Sequence, residues 1–327
     1  MEKVGEEGIL IDILSRLPVK SLLRFKCVCK QWRSLISDPE FAELQLGRSK
    51  EHNPNACRRV LWLNNPIRSI DCESLSCSNE GTTVRDIKHP SIVSSLESFI
   101  EIVGSCNGLV CLLVDFKSFI LWNPTTGACN ELPSPSSDIS GREYFYGFGY
   151  DSSTNHYKLF KGSSACYGFL SDNTIVEIYS CKTNSWRRMK YEFIPYVTSR
   201  GLFLNGSLHW LVGRDCSDLD SMIVSFDVAD ETFGRLVSPL LLDLDTVLEG
   251  LMILEDCLFV YQDNWTGFNS FTFEGWILRD YPVKSSWTKY CSFLIEESPA
   301  QHYLWDPLWF RKDGKVLFHL GHVANYF

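Results

Sequence analysis

The segment of residues 9–36 constrains the fold of this chain more than any other stretch of its sequence. Apolar residues recur in it at helical spacing, first over residues 9–17 and then in two further sets that end at Phe25 and Ile36. Pro18 interrupts the pattern, and because proline is accepted in the first turn of a helix, it predicts a corner between two helices. We interpret the segment as a small all-α unit of three helices.

The next residues extend this unit, and its small size limits its stability. Asp38-Pro39 matches an N-cap followed by proline at the first helical position, which predicts a short helix through Leu46. So few residues bury too little apolar surface to be comfortably stable alone. The unit therefore needs a partner, which is either the rest of the chain, capped by these helices, or another protein.

The same residues resemble the F-box, the motif that binds the Skp adaptor of cullin-RING ubiquitin ligases. The matching residues stand at fixed offsets: Leu17-Pro18, Ser21-Leu22-Leu23-Arg24, Val28-Cys29-Lys30, Trp32 and Leu35-Ile36. The resemblance implies adaptor contact through apolar side chains, namely Leu10, Ile13, Leu14, Leu17, Pro18, Leu22, Leu23, Val28, Cys29, Trp32 and Leu35. Some of these residues must form the unit's own core instead, and the sequence leaves that division open.

The sequence departs from the F-box pattern just before the first predicted helix. F-boxes usually carry a Leu-Pro pair there, whereas this chain has Gly5-Glu6. Proline would preset the first helical turn, and leucine would add apolar contact with the adaptor. We expect the difference to weaken adaptor binding by about 1 kcal/mol, as for the loss of one helix cap.

Charge is distributed unevenly along the chain. The formal net charge is −9, but residues 1–50 hold nine Lys or Arg against seven Asp or Glu, which leaves −11 on the remainder. Six basic residues and no acidic one occur from Arg16 to Arg33: Arg16, Lys20, Arg24, Lys26, Lys30 and Arg33. Because the acidic remainder would repel phosphate backbones, an acidic protein partner is favoured over nucleic acid.

Composition and motifs exclude several other classes. Thirteen cysteines without a secretory signal peptide indicate a reducing compartment, the cytosol or nucleus. No apolar stretch of eighteen residues predicts a membrane span. Phosphate-binding, nucleophile-elbow and zinc-protease motifs are missing, so no catalytic residue, metal or cofactor is predicted.

The character of the sequence changes after a polar linker, which we place at residues 48–57, between an F-box at 1–47 and a second domain at 58–327. Short apolar and aromatic runs then alternate with turn residues, which predicts an all-β domain. The predicted strands are residues 60–63, 109–113, 119–122, 175–179, 207–211, 222–226, 257–261 and 316–319.

A repeat organises these strands. Aromatic residues that each end a strand before a polar turn recur at Trp122, Tyr179, Phe226 and Trp276, with spacings of 57, 47 and 50 residues. Asn-Gly or Asp-Gly turns open other strands at residues 107–108, 205–206 and 313–314. Two hairpins per repeat at this period favour a kelch-like β-propeller of about six blades, with a β-sandwich as the alternative.

Several sequence segments of this region resemble the plant F-box-associated domain, which follows an F-box in many plant proteins. These include the S-locus F-box group, which functions in self-incompatibility. Matching runs are Gly104–Leu112, Leu121–Gly127, Phe148–Phe160, Val176–Arg187 and Leu204–Val212. The chain ends soon after His319, before an anchor strand and turn can complete another repeat. We therefore expect an incomplete last blade.

The two resemblances together predict the substrate-recognition subunit of an SCF-type ubiquitin ligase. The F-box would bind the Skp adaptor, and through it cullin and the RING protein, while the propeller would bind an unidentified target. Candidate target-binding loops are residues 134–141, 162–173, 214–221 and 263–270. The alternatives are a propeller enzyme with a helical cap and a truncated receptor without function.

Overall fold

The computed structural model describes residues 3–52, 59–62, 67–71, 84–88, 90, 98–135, 142–165, 174–191, 197, 200–211, 222–237, 248–265, 270–295, 303–310, 314 and 316–322. The first of these ranges is helical. It contains four helices: α1 (Lys3–Leu14), α2 (Val19–Phe25), α3 (Lys30–Ile36) and α4 (Pro39–His52). The predicted corner is confirmed, because Pro18 is the N-cap of α2 with extended backbone angles.

The helical unit differs from its prediction in extent. Helix α4 begins at Pro39, as the Asp38-Pro39 signal predicts, but it continues past Leu46 to His52, inside the predicted linker. Tertiary contacts explain the extension: the Arg48 Nη1 atom donates to the backbone oxygen of Asp12 at 2.8 Å. The polar composition of residues 47–52 favours a linker, because the sequence of one segment does not show its contacts with distant residues.

Two further expectations about this unit are corrected. The apolar pattern that ends at Ile36 predicts that Cys27 and Cys29 lie within the third helix and are partly buried, but both are exposed and precede α3. The Cys29 Sγ atom accepts a hydrogen bond from the Trp32 amide at 3.4 Å and so caps α3. Gly5 and Glu6 lie within α1, whereas the sequence placed them before the first helix.

The rest of the described chain forms twenty-one strands in six antiparallel sheets. The first sheet contains β1 (Arg59–Trp62), β2 (Ile67–Asp71) and β3 (Val84–Ile87). Four sheets of four strands follow in chain order. The first two contain β4 (Ile100–Cys106), β5 (Leu109–Val114), β6 (Ser118–Trp122) and β7 (Cys129–Glu131), and then β8 (Arg142–Asp151), β9 (His156–Ala165), β10 (Thr174–Ser180) and β11 (Ser185–Tyr191). The next two contain β12 (Leu202–Leu204), β13 (Ser207–Leu211), β14 (Met222–Asp227) and β15 (Thr232–Val237), and then β16 (Gly250–Leu254), β17 (Cys257–Trp265), β18 (Phe271–Leu278) and β19 (Trp287–Ile295). The last sheet pairs β20 (Tyr303–Phe310) with β21 (Val316–His322).

The first strands of the four-stranded sheets lie side by side. β4 is next to β8, β8 is next to β12 and β12 is next to β16. Tyr146 of β8 forms a parallel bridge with Arg200, just before β12, and an ion pair of 2.9 Å joins Arg200 to Glu101 at the start of β4. Parallel first strands, each leading outward into an antiparallel sheet, define a β-propeller. The β-sandwich alternative is wrong, because a sandwich packs two sheets face to face.

The predicted repeat is confirmed. Trp122, Tyr179, Phe226 and Trp276 each lie on the third strand of a four-stranded sheet. The turns that follow are fixed by side chains at strand ends; Asp227, for example, accepts hydrogen bonds from the amides of residues 229 and 230 at 2.9 and 2.8 Å. The Asn-Gly turns at 107–108 and 205–206 join first to second strands, with positive φ at both positions.

Close packing between neighbouring sheets requires glycine in β8. A Cβ atom on Gly147 would lie 2.7 Å from Leu208 Cδ1 and 3.0 Å from Trp210 Cζ2, and one on Gly149 would lie 2.6 Å from Phe203 Cδ2. The Trp210 indole also donates to the backbone oxygen of Tyr146 at 3.0 Å. The side chains of one sheet thus rest directly on the backbone of the sheet before it.

A buried histidine joins the next pair of sheets. His209 of β13 is fully buried, and its Nδ1 atom lies 3.2 Å from the backbone oxygen of Leu202. Because a carbonyl can only accept, Nδ1 carries the proton, and Nε2 accepts from the Tyr281 hydroxyl at 2.9 Å. Burial lowers the pKa of His209 from 6.5 to about 4.

This joint predicts acid sensitivity. Between about pH 6.5 and pH 4 the unfolded chain binds a proton at His209 that the folded chain does not, so stability falls as pH falls through that window. The full loss is on the order of 3 kcal/mol. Urea unfolding of wild type and His209→Gln at pH 7.5 and pH 5 would test this. The variant should lose less stability on acidification, and an equal loss in both proteins would contradict the assignment.

Candidate protein-interaction surfaces

Helix α1 carries two apolar stripes with different environments. Leu14 is buried in the core of the helical unit, at 1% exposure, together with Leu22, Ile36 and Phe41. Ile9 and Ile13, one helical turn apart, are 62% and 54% exposed. Because burial of an isoleucine side chain is favourable by about 1.5–3 kcal/mol, this exposed stripe is available to a partner.

The structure sorts the eleven residues that the F-box resemblance singled out. Leu14 and Leu22 are buried; Leu10, Leu17, Leu23, Trp32 and Leu35 are half-buried; Ile13, Pro18, Val28 and Cys29 are exposed. Two exposed apolar residues, Ile9 and Val19, were not among the eleven. Two sequence features could have identified them: the i, i+4 spacing of Ile9 and Ile13, and the position of Val19 next to Pro18.

The basic residues of this unit are largely free of internal partners. Among the residues that the structure describes, no ion pair includes Lys20, Arg24, Lys30 or Arg33, and all four are exposed. Arg16 and Arg48 are exceptions, because they lie 3.2 and 2.7 Å from the Asp12 carboxylate. Hydrogen bonds from both hold the pKa of Asp12 below its usual value. The surface of α2 and α3 therefore keeps its positive charge for an external partner.

The propeller has two distinct faces. In an antiparallel meander, the first-to-second and third-to-fourth strand turns lie at one end, and the remaining connections lie at the other. We call the first end the turn face; its turns are residues 107–108, 123–128, 152–155, 181–184, 205–206, 228–231, 255–256 and 279–286. We call the opposite end the loop face. The four candidate target-binding loops join strands at the loop face, but two of them were predicted too long: residues 162–165 belong to β9 and residues 263–265 belong to β17. Most of the remaining loop residues lie outside the described ranges.

The helical unit contacts the turn face. The Asn155 side-chain amide, in the turn between β8 and β9, donates to the Glu43 carboxylate of α4. The Tyr150 hydroxyl donates to Asn155 in turn. Within the described residues, this contact places the helices beside the turn face, away from the candidate target-binding loops.

Two further features are absent from the described part of the chain. It holds no group of three or more His, Cys, Asp or Glu side chains arranged to bind a metal ion. None of its helices is long and apolar enough to cross a membrane.

Known proteins share both parts of this architecture. Residues 7–44 match the F-box domain, and residues 60–319 match the F-box associated beta propeller domain. In Arabidopsis thaliana, F-box protein At3g07870 is 30% identical over 95% of this chain and 78% of its own length. F-box/kelch-repeat protein At3g23880 is 31% identical over 94% of this chain and 82% of its own length. Among solved structures, YCF48 bound to D1 peptide aligns over 81% of this chain and 72% of its own at 8% identity, with a TM-score of only 0.40.

Fold and surfaces together define a two-part protein, with a helical docking module joined to a β-propeller. The chain belongs to the F-box proteins with an F-box-associated β-propeller domain.

Because Leu14 is buried and Ile13 is exposed, substitutions of these two adjacent residues should change stability by different amounts. Leu14→Ala should destabilise the helical module by about 2–5 kcal/mol, because it leaves a cavity in the core. Ile13→Ala should cost less than about 1 kcal/mol, because its side chain already contacts water. Native-state hydrogen exchange of the α1 to α3 amides measures both effects. Equal losses would show that the two stripes are not distinct.

Proposed function

We propose that this protein is the substrate-recognition subunit of an SCF-type ubiquitin ligase. Its F-box would bind a Skp-type adaptor, and through it cullin and the RING protein, while its propeller binds the target. The exposed apolar stripe of Ile9 and Ile13 supports this most strongly. The helical module already has its own core around Leu14, so the stripe has no role in the fold of the module.

Further features of the module support a protein partner. Val28, just before α3, is 60% exposed, which adds apolar surface outside α1. The free charges of Lys20, Arg24, Lys30 and Arg33 favour an acidic partner surface and would speed its association.

The chain's own contribution to the reaction is proximity. Ubiquitin transfer would be carried out by the conjugating enzyme that the RING protein recruits, so this chain supplies no catalytic group. By holding a target lysine near activated ubiquitin, the receptor makes transfer effectively intramolecular. The contact between α4 and the turn face would keep the loop face free for the target.

A reducing compartment, the cytosol or nucleus, remains our proposal for its location. The proposal rests on the number of cysteines in the sequence, thirteen, without a secretory signal peptide.

Binding to a purified Skp-type adaptor tests the proposal. Ile13→Asp should weaken binding at least about tenfold, or 1.4 kcal/mol, because a charge replaces an apolar contact. The matched control is Val283→Asp, which places the same charge at a half-exposed apolar position of the propeller. It should leave the affinity unchanged.

Circular dichroism would verify that both variants are folded. Failure of the wild-type chain to bind any Skp-type adaptor would contradict the proposal. Equal affinity of wild type and Ile13→Asp would leave the adaptor function in place but reject the α1 stripe as its site.

A further inference from the structure

Two exposed phenylalanines stack on each other at the loop face of the propeller. Phe99 directly precedes β4, and Phe116 lies in the turn between β5 and β6. Their ring centroids are 4.4 Å apart and the ring planes differ by 13°. The side chains remain 49% and 61% exposed, so the outer ring surfaces contact water.

The backbone at Phe116 is strained. Its φ angle is +55°, in the left-handed region that bulky residues avoid. Among the described residues, nine non-glycine positions have positive φ, and Phe116 is the one apolar side chain in the group; the others are Asn107, Asp115, Asn155, Asn184, Asn205, Glu231, Glu255 and Asp256. Phenylalanine is a costly residue at such a position, and strain of this kind concentrates at functional sites.

Two hydrogen bonds hold the pair in place. The Phe99 amide donates to the Asp115 carboxylate at 2.9 Å, and the Asp115 amide donates to the Phe99 carbonyl at 2.8 Å. The pair is therefore preorganised, so a ligand that binds it would lose little entropy by ordering it.

The loop face on which the pair lies is acidic in sequence. Segments 212–221, 238–249 and 296–302, which join strands at this face, contain Asp215, Asp218, Asp220, Asp243, Asp245, Glu249, Glu296 and Glu297. Arg214 is the one Lys or Arg in these segments. Exposed aromatic rings on an acidic face suit a planar cation, since a guanidinium group stacks on an aromatic face and is drawn to negative charge.

We propose that the stacked Phe99–Phe116 pair is a docking site for an arginine side chain in a basic segment of the target protein. The site deepens the proposed function, on which it rests, by naming the face that binds the target and the chemistry of the segment bound. Phe116 supplies the outer ring surface, Phe99 supports it, and the acidic loop face contributes long-range attraction. The helical module, which contacts the turn face, leaves this site open.

Labelled synthetic peptides with the full-length chain test the proposal. Three nonapeptides would differ only at alternate positions, which carry arginine in the first peptide, lysine in the second and citrulline in the third. Gly and Ser would occupy the positions between them. Fluorescence anisotropy should show the arginine peptide binding best, the lysine peptide several-fold weaker and the neutral citrulline peptide at least tenfold weaker. Raising the salt concentration from 50 to 500 mM should weaken the arginine peptide further.

The informative variant is Phe116→Asn, because asparagine tolerates positive φ. It should weaken the arginine peptide at least tenfold while leaving the Tm equal to or above that of wild type. Val283→Asn, at a half-exposed apolar position in a loop of the turn face, should change neither quantity.

Each of three results would overturn the proposal: no binding of the arginine peptide at millimolar concentration, equal binding to Phe116→Asn, or a lower Tm in that variant. The last would show that Phe116 serves the fold. Adaptor binding measured in parallel separates the two proposals. Adaptor binding without peptide binding rejects the docking site alone, whereas peptide binding without adaptor binding rejects the ligase function alone.

Discussion

Packing of side chains from one sheet against the backbone of the preceding sheet is the interaction on which the propeller depends. Leu208 and Trp210 pack onto Gly147, and Phe203 packs onto Gly149, at distances that leave no room for a Cβ atom. A four-stranded sheet has two faces to bury, and each such contact buries one of them against a neighbour. The ring is thus built from repeated pairwise contacts between sheets, not from a single central core.

Polar groups reinforce these contacts near the turn face. The Lys158 ammonium lies 2.8 Å from the buried Asp151 carboxylate and 3.0 Å from Glu231 of a neighbouring sheet. Burial opposes ionisation of Asp151, but the Lys158 ammonium and hydrogen bonds from Ser153 and Thr154 hold the pKa of this carboxyl well below its usual value. The turn face is therefore stabilised by short turns and charge pairs, while most of the longer connections lie at the loop face. In the proposed function, the turn face stabilises the ring and the loop face binds the target.

Local signals predicted the repeat because each one is carried by neighbouring residues. Trp122 and Phe226 end strands before side-chain-fixed turns, and Asn205-Gly206 adopts the left-handed conformations that its residue types favour. The extension of α4 was not predictable in this way, because it depends on Arg48 contacting Asp12, thirty-six residues away. The same limit applied to the F-box residues. Ile13 and Leu14 are adjacent apolar residues in sequence, and only the packing of four helices shows that one is buried and the other exposed.

In the proposed function, the chain is a connector whose helical module and loop face bind different proteins. Hydrogen–deuterium exchange of the full-length chain, with and without a Skp-type adaptor, tests this claim most directly. Exchange in the adaptor complex should be slower over residues 8–30 and unchanged over residues 98–118, which contain the Phe99–Phe116 pair. Protection of residues 98–118 by the adaptor, or no protection in the helical module, would contradict it.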